Sequence, residues 1–128
     1  MSSENEKILR SLYEAFVAGD LPTVLSFVRD DATFHVQGKN QLAGDYSKGD
    51  FAAVLVHKVM QISGGTFVEE VHDIVAGDEH GVALVDHRLT RDGSDHAYRA
   101  VHVWHMKDGQ ASEWWEFPEQ PGFDRAWG

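Results

Sequence analysis

Cysteine is absent from the chain. That removes disulfide staples, thiol nucleophiles and zinc sites of the cysteine type. Basic residues are scarce: 11 Lys plus Arg stand against 21 Asp plus Glu, for a formal charge of -10. This sign repels phosphate backbones, so nucleic acid is excluded as an expected partner. No apolar run approaches the roughly 20 residues of a membrane-spanning helix, so a membrane is not an expected partner either. The opening MSSENEKILRSLYEAF carries acidic residues and no apolar stretch before a small-residue cleavage site, which predicts a cytoplasmic protein. Gly-rich dinucleotide fingerprints, the Walker loop and the HExxH spacing are all missing, and no cofactor or metal is expected.

What is present is ordinary in bulk. Hydrophobic residues make up 42% and charged residues 25% of 128 positions, enough for a single domain spanning 1–128 with a core of its own. Ile8, Leu9, Leu12, Tyr13, Ala15 and Phe16 recur at helical spacing and predict a first helix over residues 4–18, ended by Gly19. Asp20 is placed to cap a second, short helix with Pro22 in its first turn. ATFHVQG reads as a strand with Phe34 and Val36 on one side and His35 on the other, and residues 39–49 as a surface loop. A third helix is predicted from Asp50 to Ile62, ended by Gly64-Gly65. From Thr66 the period changes to two, and turns at Gly77-Asp78, Asp92-Gly93 and Asp108-Gly109 divide four successive strands. Helices first and a meander after predict an α+β architecture, with helices closing the concave side of a curved sheet over a blind cavity.

Residues two apart on a strand share a face. Asp86 therefore goes with Arg88, His102 with Trp104, and Trp114 with Glu116. Trp114 and Trp115 face opposite ways, so at most one of them lines the pocket, and the other suits a subunit interface, where large aromatics are favoured. His102 and His105, three apart, face opposite sides and form no chelating pair. The tail EQPGFDRAWG holds Phe123 and Trp127, which fit a cover for the cavity, a dock on a second subunit or a surface anchor alike.

The segments AGDL, RDDATFHVQG, LAGDYSKGDFAAVL and KDGQASEWWEF, in this order, resemble the SnoaL-like group of the nuclear transport factor 2-like (NTF2-like) superfamily. The resemblance implies a cone of three N-terminal helices on a strongly curved antiparallel sheet, a pocket inside the cone, and a homodimer. It also implies that all six strand residues named above point inward. The superfamily holds ketosteroid isomerases and limonene epoxide hydrolases. Against the isomerases, the base falls at Val36, the oxyanion tyrosine at Leu12 with Tyr13 one step away and facing elsewhere, and the protonated aspartate at His102. Against the hydrolases, the Asp–Arg pair is reversed as Asp86 and Arg88, the last-strand acid is Glu116, and the residues holding the attacking water become Phe34 and Val36.

As chemistry, the set predicts Glu116 or Asp86 as general base, His102 as proton donor or shuttle, and Arg88 as the group orienting carboxylates or a developing oxyanion. Phe34, Val36, Trp104, Trp114 and Tyr13 would wall a small apolar or ring-containing molecule. The same residues admit plainer accounts. Asp86 and Arg88 could be a structural ion pair, and His102 a core histidine satisfied by a neighbouring carboxylate. The function expected is that of a small-molecule pocket protein, an isomerase, cyclase or hydrolase without a cofactor, or else a non-catalytic binding or dimerisation module.

Overall fold

The computed structural model describes residues 2–128, with side chains from Glu4 onward. Helix α1 (Ser2–Val17) buries Leu9, Leu12 and Tyr13 on one face and stops at Gly19, whose φ of +76° suits a residue without Cβ. Asp20 then caps α2 (Leu21–Ser26) by accepting from the Thr23 amide. Strand β1 (Val28–Val36) runs through Asp30 and Asp31 and turns Ala32, Phe34 and Val36 inward.

Two features depart from the expected elements. The stretch read as a loop contains a short strand, β2 (Gly44–Ser47), which pairs antiparallel with β1 and turns Tyr46 inward to donate to the Leu42 carbonyl. Four residues with only one apolar side chain carry too little periodicity to announce a strand; the free edge of β1 supplies its ladder. The third helix comes in three pieces: α3 (Lys48–Asp50), a π-helical stretch (Phe51–Val56) and α4 (His57–Ile62). The wider turn brings Phe51, Leu55 and Val56 to the cavity wall, with Phe51 stacked on Phe34 at 4.2 Å between ring centroids.

Strands β3 (Val68–Ala76), β4 (His80–Arg91), β5 (Ser94–Lys107) and β6 (Gln110–Pro118) form the expected meander. Its last two turns carry Asp92-Gly93 and Asp108-Gly109 with positive φ at every one of the four positions, as two-residue hairpins require. The sheet order is β2-β1-β6-β5-β4-β3, and β1 lies parallel to β6, so the sheet is not wholly antiparallel. Among the described residues no helix is long and apolar enough to cross a membrane.

The inner face of the sheet carries small residues at Gly81, Ala83 and Ala100. The Leu9 side chain of α1 takes the space over Gly81, where a Cβ would collide with it. The tail packs on the same side of the sheet. Helix α5 (Gly122–Trp127) buries Phe123, Ala126 and Trp127 completely, and Arg91 holds the carbonyls of Ala126 and Gly128. Trp127 lines the cavity and donates its indole N–H to the Tyr98 hydroxyl at 2.9 Å. The tail is thus a piece of the core rather than a surface anchor.

Trp127→Ala would remove a fully buried indole and a cavity wall together. Urea unfolding should show a loss of about 3–5 kcal/mol; a loss under about 1 kcal/mol would mean that α5 is not part of the cooperative core.

Candidate functional site

The inner sheet face and the helices enclose a cavity of about 480 Å³. Its walls are mostly apolar: Leu12, Phe16, Phe34, Val36, Phe51, Leu55, Phe67, Trp104, Trp114 and Trp127. Set among them are five polar groups, Tyr13, Glu69, His87, His102 and Glu116, with Tyr98 beside them.

Register explains how these groups meet. On β5 and β6, His102 lies directly opposite Glu116 and Trp104 opposite Trp114, and both pairs point inward. His102 Nε2 is 2.8 Å from Glu116 Oε2, with side chains only 4% and 8% exposed. A carboxylate can only accept, so the ring donates from Nε2, and a neutral ring then presents Nδ1 as an acceptor. The Tyr13 hydroxyl sits 2.6 Å from that Nδ1 and itself accepts from the Trp104 indole N–H at 2.9 Å. The result is a chain Trp104–Tyr13–His102–Glu116 in which every donor has an acceptor. Tyr13 therefore does not face elsewhere; α1 aims it at the sheet.

A second pair follows from β3 and β4, where Glu69 lies opposite His87. His87 Nε2 and Glu69 Oε1 are 2.7 Å apart, with side chains 3% and 6% exposed. The ring centroids of His87 and His102 are 5.6 Å apart. His87 Nδ1 is buried and has no hydrogen-bond partner among the described residues.

Burial alone would push the Glu116 carboxyl up, but the hydrogen bond and charge of His102, with the charge of His87, outweigh it and hold the group below its ordinary range. Burial opposes charge on His87 too. The hydrogen bond that His87 donates to Glu69 outweighs it, with the fields of Glu116, Glu69 and Asp86, and raises that imidazole above its ordinary value. Burial pushes the Tyr13 phenol well up, so it stays neutral and able to donate.

The structure brings together His102, Glu116, Phe34, Val36, Trp104, Trp114 and Tyr13, all of which line the cavity. It does not bring Asp86 and Arg88 to it. On β4 the inward set is Gly81, Ala83, Val85, His87 and Leu89, so Asp86 and Arg88 lie on the outer face, with side chains 49% and 60% exposed. Asp86 pairs with Arg99, directly opposite on β5, and Arg88 with Glu70 on β3. Neither can orient a carboxylate or an oxyanion in the cavity. The residues missed were His87 and Glu69. The signal was the parity of β4, whose small and apolar residues at 81, 83, 85 and 89 select position 87 for the same face.

His87 also meets His102 and Glu69 with one ligand atom each inside 4.8 Å, a spacing that could hold a cation. Hydrogen bonds already engage both nitrogens of His102 and Nε2 of His87, so at least His102 would have to exchange a partner to bind one. Of the two neighbouring tryptophans Trp114 faces the cavity, and Trp115 lies on the outer face, stacked on His35 and edge-on to His105.

A helix-closed curved sheet around an apolar cavity with a buried acid–base cluster is the fold seen in NTF2-like solved structures. The SnoaL-like domain family matches residues 9–114, and the chain belongs to that family. Among solved structures, it is similar to Bal32a from a soil-derived mobile gene cassette, at TM-score 0.91 and 21% identity, covering 99% of this chain and 98% of that one. An NTF2-like protein from Burkholderia pseudomallei superposes at TM-score 0.85 with 23% identity, covering 96% of both chains. TerC, co-crystallised with polyporic acid, superposes at TM-score 0.83 with 21% identity, covering 96% of this chain and 97% of that one. A comparison with functionally curated proteins gave no significant match.

The raised His87 value fixes a pH dependence. A group whose pKa is raised by folding stabilises fully below its unfolded value, and the gain is lost as pH rises through the folded value. As pH rises from the ordinary histidine range through the raised His87 value, the protein should lose stability relative to His87→Gln, which has no group to titrate there. Urea midpoints that move in parallel for both proteins would contradict the assignment.

Proposed function

We propose that the protein is an enzyme that moves protons on a small, largely apolar, ring-containing molecule without a cofactor, as an isomerase, cyclase or hydrolase would. The observation that carries this reading is Glu116: a carboxylate buried at the bottom of an aromatic cavity and held ionised by His102. His102 engages one of its oxygens, and no other hydrogen bond to its side chain occurs among the described residues. That leaves the second oxygen to take a proton from a carbon or a water of the bound molecule.

The proton that Glu116 takes returns to the molecule from the same oxygen, because the Nε2–H of His102 occupies the other. Tyr13 donates to Nδ1 and keeps His102 in that tautomer, and Trp104 donates to the phenol oxygen and fixes Tyr13 in place. Phe34, Phe51, Trp104 and Trp114 offer ring faces and edges to a planar substrate. That TerC, which shares this fold, was co-crystallised with polyporic acid supports an organic molecule as the ligand.

The reading includes a homodimer. The outer sheet face exposes Phe117 and Leu84 at 47% and 38%, beside half-buried Val101, Val103 and Trp115, and a second copy would cover them. Light scattering should give the mass of two chains for the native protein and of one for Phe117→Arg. A native mass of one chain at micromolar concentration would rule the dimer out.

The chemistry is tested by deuterium exchange at carbon, followed by NMR, on a panel of cyclic and aryl ketones in D₂O. Glu116→Gln should slow exchange at least about 100-fold, while Asp86→Asn and Arg88→Ala stay within about two-fold of the native rate because both lie on the other face. Full activity in Glu116→Gln would overturn the assignment, and binding of panel members with no exchange would make the protein a binding module.

A further inference from the structure

Acid outweighs base on the cavity wall. Glu69 and Glu116 both line it, and none of the described residues lining it is Lys or Arg. Each carboxylate gives one oxygen to an imidazole, Oε1 of Glu69 to His87 and Oε2 of Glu116 to His102. Their second oxygens, Oε2 of Glu69 and Oε1 of Glu116, accept no hydrogen bond among the described residues. Ser63 Oγ and His87 Nδ1 are the only described side-chain atoms that are both sealed and unpartnered, so these two oxygens are open to the cavity.

An unpaired carboxylate oxygen in an apolar enclosure attracts positive charge, because its surroundings screen it weakly. Aromatic rings add to the attraction, since the face of a ring is the negative side of its quadrupole. Phe67 packs on His87 at 5.0 Å between centroids and Trp127 on Phe67 at 5.8 Å, so the wall beside the Glu69 pair is aromatic. A metal ion would have to take a nitrogen of His102 from Tyr13 or Glu116, whereas an ammonium needs only oxygens that are already open. A cavity of about 480 Å³ also suits an organic cation rather than a bare ion. The formal charge of -10 on the whole chain draws cations toward it.

We infer that the cavity binds a ring-bearing amine in its protonated form, with Oε2 of Glu69 accepting the ammonium N–H. The ligand then carries one positive charge on an otherwise apolar body. Two carboxylates compete for that charge. Glu116 acts as a base only while its second oxygen is unpaired, so the ammonium falls to Glu69. The choice of Glu69 rests on the proton-transfer reading of the same cavity; the preference for a cation does not.

The hydrogen bond that His87 donates to Oε1 keeps the Glu69 side chain from turning, so the acceptor is set before the ligand arrives. His87 and His102 balance the two carboxylates only when each ring holds a second proton, and an ammonium at Glu69 favours the neutral ring of His87. The same charges exclude other ligands. A carboxylate or phosphate on the bound molecule would meet two acids and no Lys or Arg, so an anion of equal size is disfavoured. A neutral alcohol keeps a hydrogen bond to Glu69 but lacks the charge.

The probes are 2-naphthylmethylamine, protonated at neutral pH, 2-naphthylmethanol as its neutral counterpart and 2-naphthoate as the anion, each titrated by fluorescence or calorimetry. The native protein should bind the amine at least about five-fold more tightly than the alcohol, and the naphthoate more weakly than either. Glu69→Gln, whose amide oxygen can still accept from His87, should cut the preference for the amine at least about three-fold and leave the alcohol within about two-fold. Glu116→Gln should lower that preference less. A native preference under about five-fold, naphthoate binding as tightly as the alcohol, or a loss in Glu116→Gln as large as in Glu69→Gln would overturn the inference. Failure of all three probes to bind would overturn it together with the reading of the cavity as a ligand site. Exchange at carbon in Glu116→Gln is measured on ketones without an amine, so failure of the base and failure of the ammonium anchor are told apart.

Discussion

The hydrogen bond between His102 and Glu116 is the constraint around which the cavity is arranged. An ionised carboxylate out of reach of water costs several kcal/mol unless it is paired and hydrogen-bonded. β5 and β6 meet that need by antiparallel register alone, because His102 and Glu116 are direct partners on the inner face. Once the imidazole gives Nε2–H to Glu116, its Nδ1 needs a donor, and that need reaches across the core to α1, where Tyr13 supplies one. The phenol oxygen in turn draws the Trp104 indole. One helix and two strands are thereby fixed to each other by polar groups inside a wall of rings.

The same logic extends to the edge of the meander. Glu69 and His87 repeat the carboxylate–imidazole pairing one strand further on, but without a third member. The first dyad has both ring nitrogens hydrogen-bonded, whereas Nδ1 of His87 in the second has no partner among the described residues.

Much of this was legible before any coordinates. The helix of residues 4–18, its Gly19 stop and the Asp20 cap came from spacing and turn chemistry, which local sequence encodes. So did the hairpin turns at Asp92-Gly93 and Asp108-Gly109. The pairing of His102 with Trp104 and of Trp114 with Glu116 on one face is a consequence of strand geometry and held. The parity of β4 did not. Asp86 and Arg88 drew attention as charges, while the alternation of Gly81, Ala83, Val85 and Leu89 gave the face that is actually buried. Strand β2 and the π-helical stretch were invisible for another reason: both depend on the neighbours they pack against. Which histidines converge also lies in register between strands, and register between strands is a tertiary property.

The two faces of β4 show why the inner charges point to chemistry rather than folding. Outside, Asp86–Arg99 and Arg88–Glu70 are half-exposed pairs of a kind that contributes about 0–1 kcal/mol, and they keep the face soluble. Inside, Glu69–His87 and His102–Glu116 are nearly sealed from water. Apolar residues of similar size would often serve the fold as well as or better than such buried pairs. The chain instead spends two carboxylates and two imidazoles there, on the wall of an otherwise apolar cavity. A protein selecting for stability alone would close the cavity and drop the charges. Keeping both is intelligible when the cavity holds a molecule on which those charges act.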